Sequence, residues 1–312
     1  MIVTVTLNPA VDKALDVPGF EVGAHARARV QSVLPAGKGN NVARGVARLG
    51  GKALATGLVG RAEVAAFDHS LSADGVRTWF QPVDGTTRTN TTILDPEART
   101  TTHLREEGFT VSPADLEGLR RILLDCMWES CGAAVVFAGS LPPGCGPADL
   151  AGLIASVAEA GGRLVVDTSG PALRAAVDGG HVATIKPNLT ELRQLLDEEV
   201  SPEQAPGRAR ELLDRVGTVL LTLGAGGAYV VREDVEVGLR CPLPEAELGN
   251  TVGCGDAFLA GWLRGLELTE TPEETLRWAV AAGAASAMSE TTVGYTLEDV
   301  RRLLPRCEPA NI

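Results

Sequence analysis

Six short apolar runs, at residues 2–7, 54–59, 133–138, 164–166, 182–185 and 219–223, are rich in β-branched residues and bounded by Gly, Pro or Asn. Such short, β-branched runs read as buried strands. Helix-period patterns lie between most of them, at residues 41–49, 113–124, 148–160, 190–196 and 205–216. Strands alternating with helices predict an α/β fold, a mostly parallel sheet covered by helices on both faces. The chain has 312 residues, 45% of them hydrophobic, enough to bury a large core in one domain spanning 1–312.

Two stretches, 13–34 and 76–105, break this rhythm. In the second, the Thr-rich runs 86–94 and 100–104 flank Asp95-Pro96-Glu97-Ala98, the pattern of a polar hairpin. So polar a hairpin cannot be a core element. Both stretches are therefore expected to form a small β-sheet lid, with its apolar side covered by a second subunit in a homodimer. The last third returns to helical spacing at 257–266, 272–289 and 297–304. The small residues at 281–287 suit close approach, either of a neighbouring helix or of a flat ligand such as adenine; helix packing is the commoner use.

A formal net charge of −12 leaves no basic footprint for a phosphate backbone, which argues against nucleic acid as a partner. The first residues lack the pattern of a signal peptide, and no apolar run is long enough to span a bilayer, so a soluble cytoplasmic protein without a membrane partner is expected. Six cysteines (Cys126, Cys131, Cys145, Cys241, Cys254 and Cys307) show no paired C-x-x-C spacing and read as structural thiols, not zinc ligands. The four histidines, His25, His69, His103 and His181, share no metal-ligand spacing either.

The segment richest in chemistry is Asn250-Thr251-Val252-Gly253-Cys254-Gly255-Asp256-Ala257-Phe258, which opens an apolar helix. Its glycines let the backbone approach an anion, and the free N–H groups of a helix N-terminus point at it. Asp256 in the first turn could take a proton from an attacking hydroxyl. Capping the helix is the simpler role for such an aspartate. Gly37-Lys38-Gly39-Asn40-Asn41 is a flexible loop before a helix, without the spacing of a Walker A loop. Lys186-Pro187-Asn188 with Glu191 starts another helix, as a metal-facing pair or as a plain capping box. Thr222-Leu223-Gly224 with Gly226-Gly227 is either a nucleotide-admitting turn or an ordinary hairpin turn. Ser140 ends a strand, at the edge where open α/β sheets bind ligands.

Thr251-Val252-Gly253-Cys254-Gly255-Asp256 resembles the C-terminal signature of the ribokinase-like (PfkB) carbohydrate kinases. Thr6 to Asp12, Ala36 to Ala43, Gly139 to Gly144, Lys186 to Glu191 and Thr222 to Ala228 resemble, in order, the branch with 1-phosphofructokinases and tagatose-6-phosphate kinases. The resemblance implies a three-layer α/β/α sandwich with a β lid, and ATP-dependent phosphorylation of a sugar phosphate. In it Asp256 is the general base, and the backbone of Gly253, Cys254 and Gly255 stabilises the moving phosphoryl group. Asp12, Gly37, Lys38, Gly39, Asn41 and Ser140 hold the sugar. Lid arginines Arg88 and Arg27 meet the phosphate that the substrate already carries. Lys186, Asn188, Thr222, Gly224, Gly227 and Thr251 serve the nucleotide, and Glu191 serves Mg2+; a monovalent cation is left open.

Fructose 1-phosphate leads as substrate, with tagatose 6-phosphate and fructose 6-phosphate close behind. An unphosphorylated sugar or nucleoside is the rival substrate class, and a non-catalytic sensor the rival function. The match departs from the family at Cys254, where alanine is common, and at Arg61-Ala62-Glu63, which lacks the usual Gly-Asp. Glu106 and Glu107 would repel a bound phosphate if their side chains faced it.

Overall fold

All six apolar runs become strands of one ten-stranded sheet. The computed structural model describes residues 1–130, 132–249 and 251–310. The first half of the chain forms β1 (Ile2–Thr6), β2 (Ala10–Asp16), β3 (Arg29–Ala36), α1 (Lys38–Arg48), β4 (Ala53–Gly60), α2 (Val64–Ala73), β5 (Arg77–Val83), β6 (Thr89–Asp95), β7 (Thr100–Arg105), α3 (Pro113–Glu129), β8 (Ala134–Ala138) and α4 (Pro147–Glu159). The second half forms β9 (Arg163–Asp167), α5 (Gly170–Asp178), β10 (Val182–Ile185), α6 (Leu189–Leu196), α7 (Ala205–Ala209), β11 (Thr218–Thr222), β12 (Ala228–Val231), β13 (Glu236–Arg240), α8 (Cys254–Leu268), α9 (Pro272–Ala287), α10 (Leu297–Leu303) and β14 (Glu308–Pro309).

The main sheet has the order β14-β13-β12-β11-β10-β9-β8-β1-β4-β5. Strands β5 through β11 of that series are parallel, whereas β12, β13 and β14 add on antiparallel. Successive residues of each buried strand serve opposite cores, as the pleat requires. In β8, Val135 and Phe137 join the core under α3 to α7, while Val136 and Ala138 join the core under α1, α2, α8, α9 and α10. The chain runs outward from β1 in both directions, so the switch in strand order falls between β1 and β8. Open α/β sheets form a ligand crevice at such a switch, at the C-terminal strand ends.

The small residues of α9 serve helix packing. A Cβ on Gly261 of α8 would sit 2.6 Å from Trp278 O and 2.7 Å from Ala282 Cβ, a contact only glycine permits. Gly57 makes a similar demand inside β4, with φ +133° and an ideal Cβ only 2.0 Å from Thr6 O. Gly57→Ala therefore combines a forbidden backbone angle with a clash that the neighbouring strand cannot relieve. It is expected to cost on the order of 3 kcal/mol or more, read as a lower urea midpoint at unchanged slope.

The lid is a second sheet of order β3-β2-β6-β7. Its first half reaches from Ala10 to Ala36, beyond the expected 13–34, because Val11 and Ala10 already pair with Pro35 and Ala36. The second stretch, expected over 76–105, divides. Residues 77–83 are β5, the edge strand of the main sheet, paired in parallel with β4. Phe80 and Val83 are buried there, and Pro82 is tolerated at an edge. Only 89–105 form lid strands. Their hairpin closes on Asp95, whose carboxylate accepts from the backbone N–H groups of Gly19, Phe20, Glu97 and Ala98.

Candidate active site

Helix α8 begins at Gly253, which has φ +87° and an ideal Cβ only 2.5 Å from Thr292 Cγ2. No side chain fits at Gly253, so here the backbone itself lines the start of a helix. Asn250, which opens the segment, lies outside the described residues, as does Cys131. Asp256 stands in the first turn of the helix and is buried. Its carboxylate accepts from Asn41 Nδ2 at 2.9 Å, so it faces α1 across the crevice. Burial, with Asp167 adding to it, pushes the Asp256 carboxyl up to about 6, opposed by Asn41, Lys38 and Lys186.

Asp167, at the end of β9, escaped the sequence reading. Its Oδ1 lies 3.3 Å from Lys38 Nζ and 3.3 Å from Lys186 Nζ, at only 1% exposure. The signal was an aspartate directly after an apolar strand, at the sheet edge where ligands bind. Lys38 enters from the first turn of α1 and Lys186 from the end of β10. The Asp167 carboxylate holds the Lys38 ammonium above its ordinary value despite burial. An ideal Cβ on Gly255 would lie 3.4 Å from Lys186 Nζ, so this ammonium sits against the first turn of α8. Two lysine ammonium groups thus face a buried carboxylate beside the N-terminus of α8.

Asp167 Oδ2 is buried without a hydrogen-bond partner. Glu191, also buried, acts electrostatically on Lys38 and is within the same cluster. The expected capping box exists as well: Asn188 Oδ1 accepts from Glu191 N, and Asn188 N donates to Glu191 Oε2, each at 2.9 Å. Capping one backbone N–H leaves carboxylate lone pairs for other work. An orphaned buried carboxylate oxygen beside a second carboxylate fits a hard cation held mainly by water and phosphate oxygens. No group of three or more His, Cys, Asp or Glu side chains placed to hold a metal ion occurs among the described residues.

Thr222 ends β11 and bridges to Asn188 just beyond β10, its N–H donating to Pro187 O at 3.0 Å. Gly224 and Gly227 both have positive φ in the turn that follows. Thr251 is exposed ahead of Gly253. Gly37 and Gly39 press α1 onto β1, where an ideal Cβ on Gly39 would fall 2.5 Å from Thr6 Oγ1. Ser140, exposed at the end of β8, accepts from Asn8 Nδ2 at 3.3 Å.

On the lid, register sets Leu34, Asp12, Asn90 and Arg105 in one cross-strand row. Burial pushes the Asp12 carboxyl up, against Asn90, which donates at 2.9 Å, and against the charges of Arg88, Arg105 and Arg44. Arg105 was also missed; its place in a Thr-rich hairpin hid it. Arg88 donates through Nε to Pro9 O at 3.2 Å and through Nη2 to Asn8 O at 3.0 Å, beside Asp12. Glu106 Oε2 accepts from Thr89 N at 2.8 Å at the start of β6. Arg27 is exposed between β2 and β3, and no described hydrogen bond or ion pair joins it to the cluster. Burial pushes the Cys254 thiol up, so it is not an activated thiolate.

The pfkB family carbohydrate kinase profile matches residues 5–298. The 1-phosphofructokinase of Rhodobacter capsulatus is 38% identical over 276 residues, 86% of this chain and 86% of that protein. A tagatose-6-phosphate kinase of Staphylococcus epidermidis is 29% identical over 296 residues, covering 94% of each. Among solved structures, phosphofructokinase-2 from Escherichia coli in complex with potassium superimposes with a TM-score of 0.91 at 29% identity, covering 97% of this chain and 98% of that one.

Proposed function

The chain belongs to the pfkB family of carbohydrate kinases and is a sugar kinase, and from that premise we propose that it phosphorylates fructose 1-phosphate with ATP, giving fructose 1,6-bisphosphate. The observation that carries the mechanism is Asp256, a buried carboxylate with an elevated proton affinity, set between two lysines and a helix N-terminus. As the sugar hydroxyl attacks the γ-phosphorus in line, its proton passes to Asp256 and the bond to the β-phosphate oxygen breaks, releasing ADP. The backbone from Gly253 to Asp256 at the start of α8, with Lys38 and Lys186, stabilises charge on the moving phosphoryl group. Asp167 and Glu191 would hold the magnesium ion of Mg·ATP, whose charge neutralises the phosphate oxygens. The lid, closing from the side of Asp12 and Arg88, keeps water from competing with the sugar.

Lid register supports a homodimer. Val33, Lys13, Thr91 and Leu104 form a row on the face opposite Asp12, and Val33 and Leu104 are 57% and 54% exposed. A second lid would cover them. No helix among the described residues is long and apolar enough to cross a membrane. With ATP and a sugar phosphate as substrates, we place the enzyme in the cytoplasm.

A coupled ADP-release assay with Mg·ATP tests the substrate against fructose 1-phosphate, fructose 6-phosphate, tagatose 6-phosphate, free hexoses, ribose and nucleosides. The highest kcat/KM is expected for fructose 1-phosphate. A higher value for tagatose 6-phosphate, the substrate in the name of the staphylococcal relative, would move the assignment to it. Turnover of free sugars alone would exclude a phosphosugar kinase, and no turnover would favour a sensor. Repeating the assay with potassium replaced by tetramethylammonium tests for a monovalent-cation requirement, which the potassium complex of the Escherichia coli protein suggests.

A further inference from the structure

The strand that feeds the chain toward Gly253 ends beside the last strand of the protein, and a cysteine borders each paired segment. In β13 and β14, Leu239 opposes Pro309 and Arg240 opposes Glu308. One more step of that register sets Cys241 opposite Cys307. Ala310 N donates to Gly238 O at 3.0 Å, so the 238/310 pair is hydrogen-bonded. Antiparallel pairs alternate from there. The 239/309 pair is then non-hydrogen-bonded, which suits a proline without an N–H, and so is 241/307. Residues opposed at such positions have Cα atoms about 4.5 Å apart and side chains on the same face. A disulfide needs a Cα separation of roughly 4.4–6.8 Å.

The surroundings agree with that placement. Cys307 is buried, with its Sγ 3.6 Å from Leu303 O and 3.8 Å from Arg277 O, while Cys241 is half-buried at the sheet edge. One pair away, Arg240 Nη2 and Glu308 Oε1 form an ion pair at 2.6 Å that fixes the register. The two thiols hydrogen-bond to each other. That bond, with help from Arg306, holds the Cys241 thiol below its ordinary value against burial, and the same bond with burial pushes Cys307 up. Cys241 is thus the better nucleophile of the pair. By contrast, burial pushes Cys126 and Cys145 up to about 11.

We propose that Cys241 and Cys307 are a thiol–disulfide modification site, oxidised to a cross-strand disulfide by exchange with a low-molecular-weight disulfide. The Cys241 thiolate attacks one sulfur of RS–SR, forming a mixed disulfide and releasing one thiolate. Cys307 gives its proton to solvent and attacks Cys241 Sγ, releasing the second. Two protein thiols are oxidised and one small disulfide is reduced to two thiols. The bond closes a loop from 241 to 307 that contains Asp256 and ties down the start of the segment leading to Gly253. It joins groups already opposed, so kinase turnover should change by less than about twofold.

The full-length protein is incubated with oxidised glutathione at pH 8, alkylated and mapped without reduction. The expected product is one linked peptide pair, 241 to 307, with two titratable thiols lost, both restored by dithiothreitol. The melting midpoint should rise by about 5 °C over the reduced protein. Cys307→Ser should stop at a glutathione adduct on Cys241, and Cys241→Ser should leave Cys307 unreacted. A stable adduct on wild-type Cys241 without ring closure, a link to any other cysteine, or two unreacted thiols in the folded wild type would each overturn the proposal.

Discussion

Asp256→Asn is expected to lower kcat by about 10²–10⁴-fold with little change in the KM of either substrate, the range that a positioned general base contributes. The substitution keeps the volume and the partner: an amide oxygen can still accept from Asn41 Nδ2, which now reaches the carboxylate at 2.9 Å. What is lost is proton acceptance, together with the carboxylate's charge beside Lys38 and Lys186. Because burial lifts this carboxyl to about 6, the wild-type rate should fall off on the acid side with an apparent pKa near that value. A steady-state kcat profile from pH 5 to 9 reads both effects. A mutant within tenfold of wild type, or an acid limb that persists unchanged in the mutant, would remove Asp256 from the proton-transfer role.

The same shift makes a stability prediction of opposite sign. A carboxyl that binds its proton more tightly in the folded chain gives stability that is complete below its unfolded value, 3.8, and lost as pH rises through about 6. At pH 7 to 8 the wild type has lost that contribution. Asparagine carries no charge to bury, so Asp256→Asn should be more stable at pH 7.5 by on the order of 2 kcal/mol. A variant both slower and more stable is the signature of a site whose function costs stability.

Elements whose pattern matched their surroundings were legible from sequence. The six apolar runs stood out because strands buried on both faces are nearly continuous in apolar and β-branched residues, with threonines such as Thr4, Thr6 and Thr56 buried among them. Edge strands carry no such mark. Residues 77–83 mix Arg77, Gln81 and Pro82 with Phe80 and Val83, so they read as lid until β4 supplied the partner. The β12–β13 hairpin was hidden similarly, by the charged Arg232-Glu233-Asp234 turn between its strands. At the site, Asp256 was visible because glycines and a helix start surround it. Asp167 and Arg105 were not, since their neighbours are ordinary strand residues and their meaning lies in partners 129 residues away in one case and across the lid in the other. The capping alternatives also separate here: Asp256 turns to Asn41, whereas Asn188 and Glu191 cap α6 while Glu191 still acts on Lys38.

Arg88→Ala is expected to raise the KM for the phosphosugar by about 100-fold, since two charge-assisted bonds of a guanidinium fork are worth roughly 3 kcal/mol together. Two of its nitrogens already hold Pro9 O and Asn8 O. That anchoring fixes the fork beside Asp12, so a phosphate and the sugar hydroxyls can be gripped at neighbouring points. Arg88→Lys keeps the charge but not the fork and should lose about tenfold. The anchoring also gives Arg88→Ala a structural cost, so the decisive comparison is between substrates. If Arg88 binds the phosphate, weak turnover of free fructose should keep its KM while that of fructose 1-phosphate rises. If both KM values rise together, Arg88 only shapes the β1–β2 turn. If neither changes at an unaltered melting midpoint, the natural substrate carries no phosphate at this position, and an unphosphorylated sugar takes its place.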